Sequence, residues 1–260
     1  GVAVTRRLPF TKMHGAGNDF VVLDGIRETL PPLEPLAPWI ADRHFGVGFD
    51  QLLVVRPSRA ADFRMEIYNA DGSQVEMCAN GIRAFFKYLR DHGHTEADEL
   101  RVETLSGVVV PRWAGEDRVR VDMGRPVLAP AKIPTTLGGG DGPVLDAPLE
   151  VASERLAVSS VSMGNPHAVL YVEDVERAPV HEWGPLIERH EAFPNRVNVE
   201  FVQPVSATRL RQRTWERGTG ETLACGSGAC AVTVASRLRG IVDAKVTIEL
   251  RGGALEIEWE

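Results

Sequence analysis

The feature that most constrains this chain is an internal repeat. Cys78-Ala79-Asn80-Gly81-Ile82-Arg83-Ala84 and Cys225-Gly226-Ser227-Gly228-Ala229-Cys230-Ala231 share the pattern Cys-small-polar-Gly-x-x-Ala at an offset of 147 residues. The same shift carries Asn18 onto Asn165, Gln51 onto Asn198, and Tyr68-Asn69 onto Trp215-Glu216. Four separated points at one spacing imply a duplication, and therefore two like-folded halves. Between the halves, Pro126 to Pro148 holds the run Gly138-Gly139-Gly140-Asp141-Gly142 and shows no strand or helix period. The expected organisation is two pseudo-symmetric domains, residues 1–125 carrying Cys78 and residues 126–260 carrying Cys225.

Within each half the local pattern is mixed. Phe63, Met65 and Ile67 alternate with polar neighbours and run into the turn Asn69-Ala70-Asp71-Gly72, which reads as a strand. After Cys78, the residues Ile82, Phe85, Phe86 and Leu89 fall at i, i+3, i+4 and i+7, an amphipathic helix stopped near Gly93. After Cys225, Ala231, Val234, Ala235 and Leu238 repeat that spacing, with Gly240 as the stop and small residues on the other faces, so this helix is expected to be the more buried. Further strands are expected at Gln51 to Val55, Val119 to Met123, Ala168 to Val172 and Val197 to Val202. Leu30 to Pro38 reads as a loop leading into a short helix from Trp39 to His44. The fold class is α+β.

Composition narrows the function classes. Twenty-nine Lys and Arg against 36 Asp and Glu leave a net charge of −7 over 260 residues, which argues against a nucleic-acid partner. A hydrophobic fraction of 43% builds a globular core, and no apolar run reaches the roughly 18 residues of a membrane span. The N-terminus carries two arginines without an apolar segment behind them, so no signal peptide is expected. Three cysteines make no disulfide framework and point to a reducing cytoplasm. Gly46-Val47-Gly48 and Gly218-Thr219-Gly220 lack the spacing of a dinucleotide-binding loop, and the sequence calls for no metal and no cofactor. His92-Gly93-His94 reads as a solvated turn, and Arg209 to Arg213 as exposed charges on a strand edge.

The chemistry then rests on two cysteines at helix starts. First-turn N–H groups have no intrahelical partners, and the helix dipole places roughly half a positive charge there. Such a setting favours the thiolate and binds an anion, and the small residues Ala79, Gly226 and Gly228 admit a carboxylate to the backbone. With two such sites on one substrate, a thiolate could remove an α-proton while a thiol returns one to the other face. That is two-base racemisation or epimerisation, with the N–H donors stabilising the developing enediolate. Cys230, five residues into its helix and matched by Arg83, reads as a buried core residue. Asn18, Asn69, Asn165 and Asn198 suit either turns or substrate contacts.

Met13-His14-Gly15-Ala16-Gly17-Asn18-Asp19-Phe20, Glu76-Met77-Cys78-Ala79-Asn80-Gly81, Gly164-Asn165-Pro166-His167-Ala168, and Trp215-Glu216-Arg217-Gly218 through Cys230 together resemble the diaminopimelate epimerases, from about Leu8 to Glu260. The resemblance implies two domains, each a curved mixed sheet wrapped around a central helix, often in a homodimer. It also implies cofactor-independent epimerisation of LL-2,6-diaminopimelate to the meso form, in lysine and peptidoglycan precursor synthesis. By position, Cys78 would be the base towards the LL substrate and Cys225 the base in the reverse direction. The backbone of Ala79, Asn80, Gly226 and Ser227 would hold the reacting carboxylate. Asn18, Gln51, Asn69, Asn165, Asn198, Glu216 and Arg217 would line the remaining pocket, with Arg217 on the distal carboxylate. His167 and Glu216 would adjust the thiols.

Two departures stand out. Position 79 is Ala where the family usually has Gly, and the sequence reaches Glu260 ahead of the Met-Thr-Gly-Pro-Ala segment common in the family. The alternatives are a two-thiol racemase of proline, hydroxyproline or histidine, a redox dithiol, and a silent amino-acid-binding protein. Arg217 and the asparagines favour a substrate with a second polar end, which proline lacks.

Overall fold

The computed structural model describes residues 7–15, 18–75, 79–105, 107–115, 118–223 and 225–260. The chain divides into two compact units after Asp122, where the sequence reading put the boundary after Arg125. In the first unit the order is β1 (Thr11–Gly15), β2 (Asn18–Asp24), α1 (Ala37–Ala41), β3 (Gln51–Arg56), β4 (Phe63–Asn69), β5 (Gln74–Val75) and α2 (Ala79–Asp91). It continues with β6 (Val102–Thr104), β7 (Gly107–Val109), β8 (Pro111–Trp113) and β9 (Val119–Val121). The second unit runs β10 (Val144–Val151), β11 (Glu154–Ser162), β12 (Pro166–Tyr171), α3 (Val180–Glu188), β13 (Asn198–Ser206), β14 (Arg209–Glu216) and β15 (Gly220–Thr222). It ends with α4 (Gly226–Leu238), β16 (Lys245–Leu250) and β17 (Gly253–Glu258).

The two sheets have the same topology. The first is ordered β1-β2-β3-β4-β6-β7 with β5 on β4, and the second β11-β12-β13-β14-β16-β17 with β15 on β14, extended by β10 at its edge. Corresponding pairs agree in direction: β2 with β3 and β12 with β13 are parallel, while β3 with β4 and β13 with β14 are antiparallel. Both central helices have 13 residues and start 147 positions apart. Both end in the same cap. Gly93 and Gly240 take φ of 73° and 76°, and the amides of His94 and Ile241 donate to the carbonyls of Leu89 and Ser236, a Schellman closure.

Strand periodicity divides each sheet between two cores. Phe20, Val22, Leu53, Val55, Met65 and Ile67 pack on the Ile82, Phe85, Phe86 and Leu89 face of α2. Their alternates Val21, Leu23, Leu52 and Val54 pack beneath α1 with Leu33 and Phe49. In the second unit Val161, Val169, Val202 and Leu210 face α4, while Val158, Leu170, Val199 and Phe201 face α3. α4 contacts both β11 and β17, so the sheet curves around it. It is buried on every side from Gly228 to Ser236, as its small residues suggested. Each unit is therefore an α+β sheet around a central helix, with a second helical layer outside that the repeat alone did not announce.

Four local expectations fail for identifiable reasons. The short helix is Ala37–Ala41 rather than Trp39 to His44: Pro38 is tolerated in the first turn, and the Asp42 carboxylate draws the amides of His44 and Phe45 into a turn that ends it. The region before Pro148 is not wholly irregular, since β10 includes Pro148 on the sheet edge, where a missing N–H costs no ladder bond. Arg209 and Arg211 are exposed on Glu249, but Arg213 is buried, bridged to Glu221 at 2.7 Å and donating to the Val175 carbonyl. His94 is likewise no solvated turn: its Nε2 lies 2.6 Å from the Asp24 carboxylate, and the His92 ring stacks on Tyr88. No helix among the described residues is long and apolar enough to cross a membrane.

α3 sits close to β14 because Gly184 has no side chain: a Cβ there would meet the Trp215 ring at 2.6 Å. Helix propensity alone would make Gly184→Ala stabilising by about 1 kcal/mol. Overpacking costs about 1–3 kcal/mol and is expected to win, so the urea midpoint of Gly184→Ala should fall; a rise would show that α3 can move off Trp215.

Candidate active site

Sheet direction decides what gathers. Because β12 and β13 run parallel and β14 runs opposite to β13, the starts of β12 and β13 and the end of β14 share one edge. Asn165, His167, Asn198 and Glu216 stand there. α4 starts at the same edge, with Asn165 Nδ2 donating to Ser227 Oγ at 3.2 Å. Cys225 is the N-cap residue in extended conformation, its Sγ accepting from the Gly228 amide at 3.3 Å and lying 3.6 Å from Ser227 Oγ. Gly226 and Ser227 are in the first turn of α4, where amides have no intrahelical partner and can serve as donors to an anion.

A buried polar chain runs behind the thiol. His167 is fully buried, with Nδ1 2.8 Å from Glu200 Oε1 and Nε2 3.0 Å from Asn165 Oδ1. Glu200 is also fully buried, and a Cβ on Gly228 would lie 2.6 Å from its Oε1 and 3.0 Å from the Cys225 sulfur. The sequence reading missed Glu200. Its signal was an acid inside the apolar run Val197 to Val202, where an unpaired charge would be costly.

This setting reverses the expected electrostatics of Cys225. Burial, then the charges of Glu216 and Glu200, push its thiol well above the ordinary range, against the hydrogen bonds from Ser227 and Gly228. A helix dipole is a partial charge, and loss of solvent around a thiolate outweighs it. Glu216 is itself raised, by burial and by Glu200, with Thr222 and His167 opposing. Cys230 sits inside α4, its thiol pushed up to about 12 by burial, as a core residue would be. Asn198 spends both ends of its amide on backbone, donating to the Pro166 carbonyl and accepting from the Arg217 amide. The exposed Arg217 guanidinium donates to the Asn195 carbonyl at 3.1 Å, so its side chain is set apart from the Cys225 network.

The first unit builds the matching edge. Asn18 opens β2, Gln51 opens β3 and pairs with Asn69 at the end of β4, and Asn80 is buried in the first turn of α2. Asn69 Nδ2 donates to Ser73 Oγ, and Gln51 Oε1 is buried with no hydrogen-bond partner among the described residues. Asn18 and Gln51 are fixed by their neighbours: the Asp19 amide donates to Asp50 Oδ2 at 2.9 Å, and the Asp50 amide to Asp19 Oδ1 at 2.8 Å. Arg43 grips both Asp19 oxygens and, with Lys12, holds that carboxyl well below the usual range. Ala79 is the first residue of α2; Cys78 before it lies outside the described residues. The repeat is not chemically symmetric, for Phe20 and Leu53 stand where the second unit has His167 and Glu200. Among the described residues, no three His, Cys, Asp or Glu side chains cluster as metal ligands would.

Removing the Glu216 charge should ease ionisation of Cys225. In Glu216→Gln, iodoacetamide labelling of the Cys225 peptide at neutral pH, followed by mass spectrometry, is expected to be several-fold faster than in the parent. Slower or unchanged labelling would remove Glu216 as a source of the raised thiol.

The sequence profile described as diaminopimelate epimerase matches residues 10–129 and 159–260. A diaminopimelate epimerase of Aromatoleum aromaticum is 51% identical over 255 residues, covering 97% of this chain and 91% of its own. That of Laribacter hongkongensis is 52% identical over 257 residues, covering 97% and 91%. Among solved structures, a probable proline racemase from Agrobacterium radiobacter superposes with a TM-score of 0.67 at 17% identity, covering 95% of this chain and 83% of its own. A hydroxyproline epimerase from Agrobacterium vitis gives 0.64 at 16% identity, covering 96% and 83%; at such identities the likeness is one of fold. With the profile and half-identical relatives spanning both cysteine motifs, this chain belongs to the diaminopimelate epimerase family.

Proposed function

We propose that this protein converts LL-2,6-diaminopimelate to the meso isomer without a cofactor, in lysine and peptidoglycan precursor synthesis, using Cys78 and Cys225 as its acid and base. The observation that carries the reading is Cys225 itself, a buried thiol capping a glycine-rich helix start whose surroundings keep it protonated. A protonated thiol is what the LL-to-meso direction requires of it. The Cys78 thiolate takes the α-proton: the C–H bond breaks, an S–H bond forms, and the electron pair passes into the carboxylate as an enediolate. Cys225 then gives its S–H proton to the opposite face of the carbon, and proton exchange with water resets the pair.

The amides of Gly226 and Ser227, and those of Ala79 and Asn80 at the duplicate helix start, are assigned to the reacting carboxylate, where preorganised donors lower the cost of the developing charge. Asn18, Gln51, Asn69, Asn165, Asn198 and Glu216 are assigned to the polar ends of the substrate. The unpartnered Gln51 Oε1 suits an ammonium donor. Arg217 would exchange the Asn195 carbonyl for the distal carboxylate, a bidentate match. His167 and Glu216 are assigned to adjusting the thiols. A reducing cytoplasm would keep these thiols free, and a homodimer is the assembly the resemblance implies.

Cys225→Ser is expected to lower kcat by about 10²–10⁴-fold with an unchanged circular dichroism spectrum; near-normal turnover would remove Cys225 from the chemistry. Arg217→Ala is expected to raise KM for diaminopimelate by the equivalent of about 1.5–3 kcal/mol. An unchanged KM would reassign the distal carboxylate.

A further inference from the structure

Glu200 has no counterpart in the first unit, where the repeat places Leu53. It is fully buried in β13, an element otherwise apolar at this level. An acid retained in such a position carries a desolvation cost that a hydrogen bond only partly offsets. Glu200 Oε1 is 2.8 Å from His167 Nδ1, and its Oε2 is buried with no hydrogen-bond partner among the described residues. The His167 ring therefore orients towards one carboxylate oxygen on one side and Asn165 on the other.

The hydrogens along this chain follow from the orientation of one amide. With Asn165 Nδ2 donating to Ser227 Oγ, Asn165 Oδ1 is the acceptor for His167, and in this arrangement His167 Nε2 carries the hydrogen. In a neutral imidazole that leaves Nδ1 bare. The 2.8 Å contact to Glu200 then needs a proton of its own, shared between Nδ1 and Oε1. A leucine here, as in the first unit, could supply none. His167 would then be equally served by the other tautomer, with Nε2 bare and the Asn165 amide turned over. Among the described residues, the other titratable groups facing this chain are Glu216 from β14 and Cys225 at the start of α4.

We propose that Glu200 is a positioning residue for substrate binding at the Cys225 half of the site: by sharing a proton with His167 Nδ1 it commits Nε2–H to Asn165, and so aims the Asn165 amide nitrogen at Ser227 and the ligand carboxylate. The inference rests on the assignment of Asn165 and Ser227 to substrate made above. Glu200 acts through His167 and Asn165 and touches no reacting atom.

Two substitutions separate this role from a structural one. Glu200→Gln keeps a donor for Nδ1 through its amide and is expected to hold KM for LL-diaminopimelate within about threefold. Glu200→Leu matches the residue that the first unit folds with, and is expected to raise KM tenfold or more while kcat falls less. Equal KM values for Glu200→Leu and the parent, or a Glu200→Gln as impaired as Glu200→Leu, would overturn the proposal. A second reading needs no substrate: the ¹⁵N shifts of His167 in the parent, assigned by their loss in His167→Gln, should show Nε2 protonated across neutral pH. A bare Nε2 would overturn the proposal whatever the enzyme turns over, whereas a parent inactive on LL-diaminopimelate with Nε2 protonated would count against the substrate alone. If Glu200→Leu fails to fold, the same spectrum in Glu200→Gln is expected to keep Nε2 protonated, and a bare Nε2 in either protein would overturn the proposal.

Discussion

A helix that must bury its long axis can still present its first turn. α4 is enclosed from Gly228 to Ser236 by the sheet curving around it, yet its N-terminus opens at the sheet edge where β12 and β13 begin. The parallel step between those two strands makes this possible, because it brings two strand starts and one strand end to the same edge. Everything assigned to the chemistry of the second unit hangs on that edge, from Asn165 on one strand to Cys225 at the cap. The first unit repeats the step with β2, β3 and β4 around α2.

Burial of the helix has an electrostatic consequence. The dipole that would favour a thiolate at Cys225 is opposed by the packing that holds the helix in place, reinforced by two carboxyl groups. The resting state favoured is a thiol, which is the form a proton donor needs. The duplicated scaffold thus supports unlike surroundings: His167 and Glu200 behind one helix start, Phe20 and Leu53 at the matching positions of the other.

Much of this was readable in the sequence, and the misses share a cause. The 147-residue offset survived because it marks strand ends, turns and caps, where backbone geometry restricts the residue; the equal helices and their paired glycines follow it closely. The apolar spacing of Ile82, Phe85, Phe86 and Leu89 located α2 because periodicity is local. Non-local burial was not legible. Arg213 and His94 read as ordinary exposed polar residues because nothing near them in sequence shows that Val175 and Glu221, or Asp24, cover them, and Glu200 was passed over because its partner His167 lies 33 positions away. The direction of the Cys225 shift was misread for the same reason, since the dipole is visible in the motif and the missing water is not. Pro148 hid a strand whose edge position only the completed sheet reveals.

The central claim is that two thiols move protons at one α-carbon with no bound cofactor. The most direct measurement follows reduced protein with LL-diaminopimelate in deuterium oxide by proton NMR. The account predicts loss of the α-proton signal as deuterium appears in the meso product, with formation of the meso product slowed by about 10²–10⁴-fold in Cys225→Ser. Meso product that keeps its α-proton without solvent exchange, or full turnover by Cys225→Ser, would contradict it.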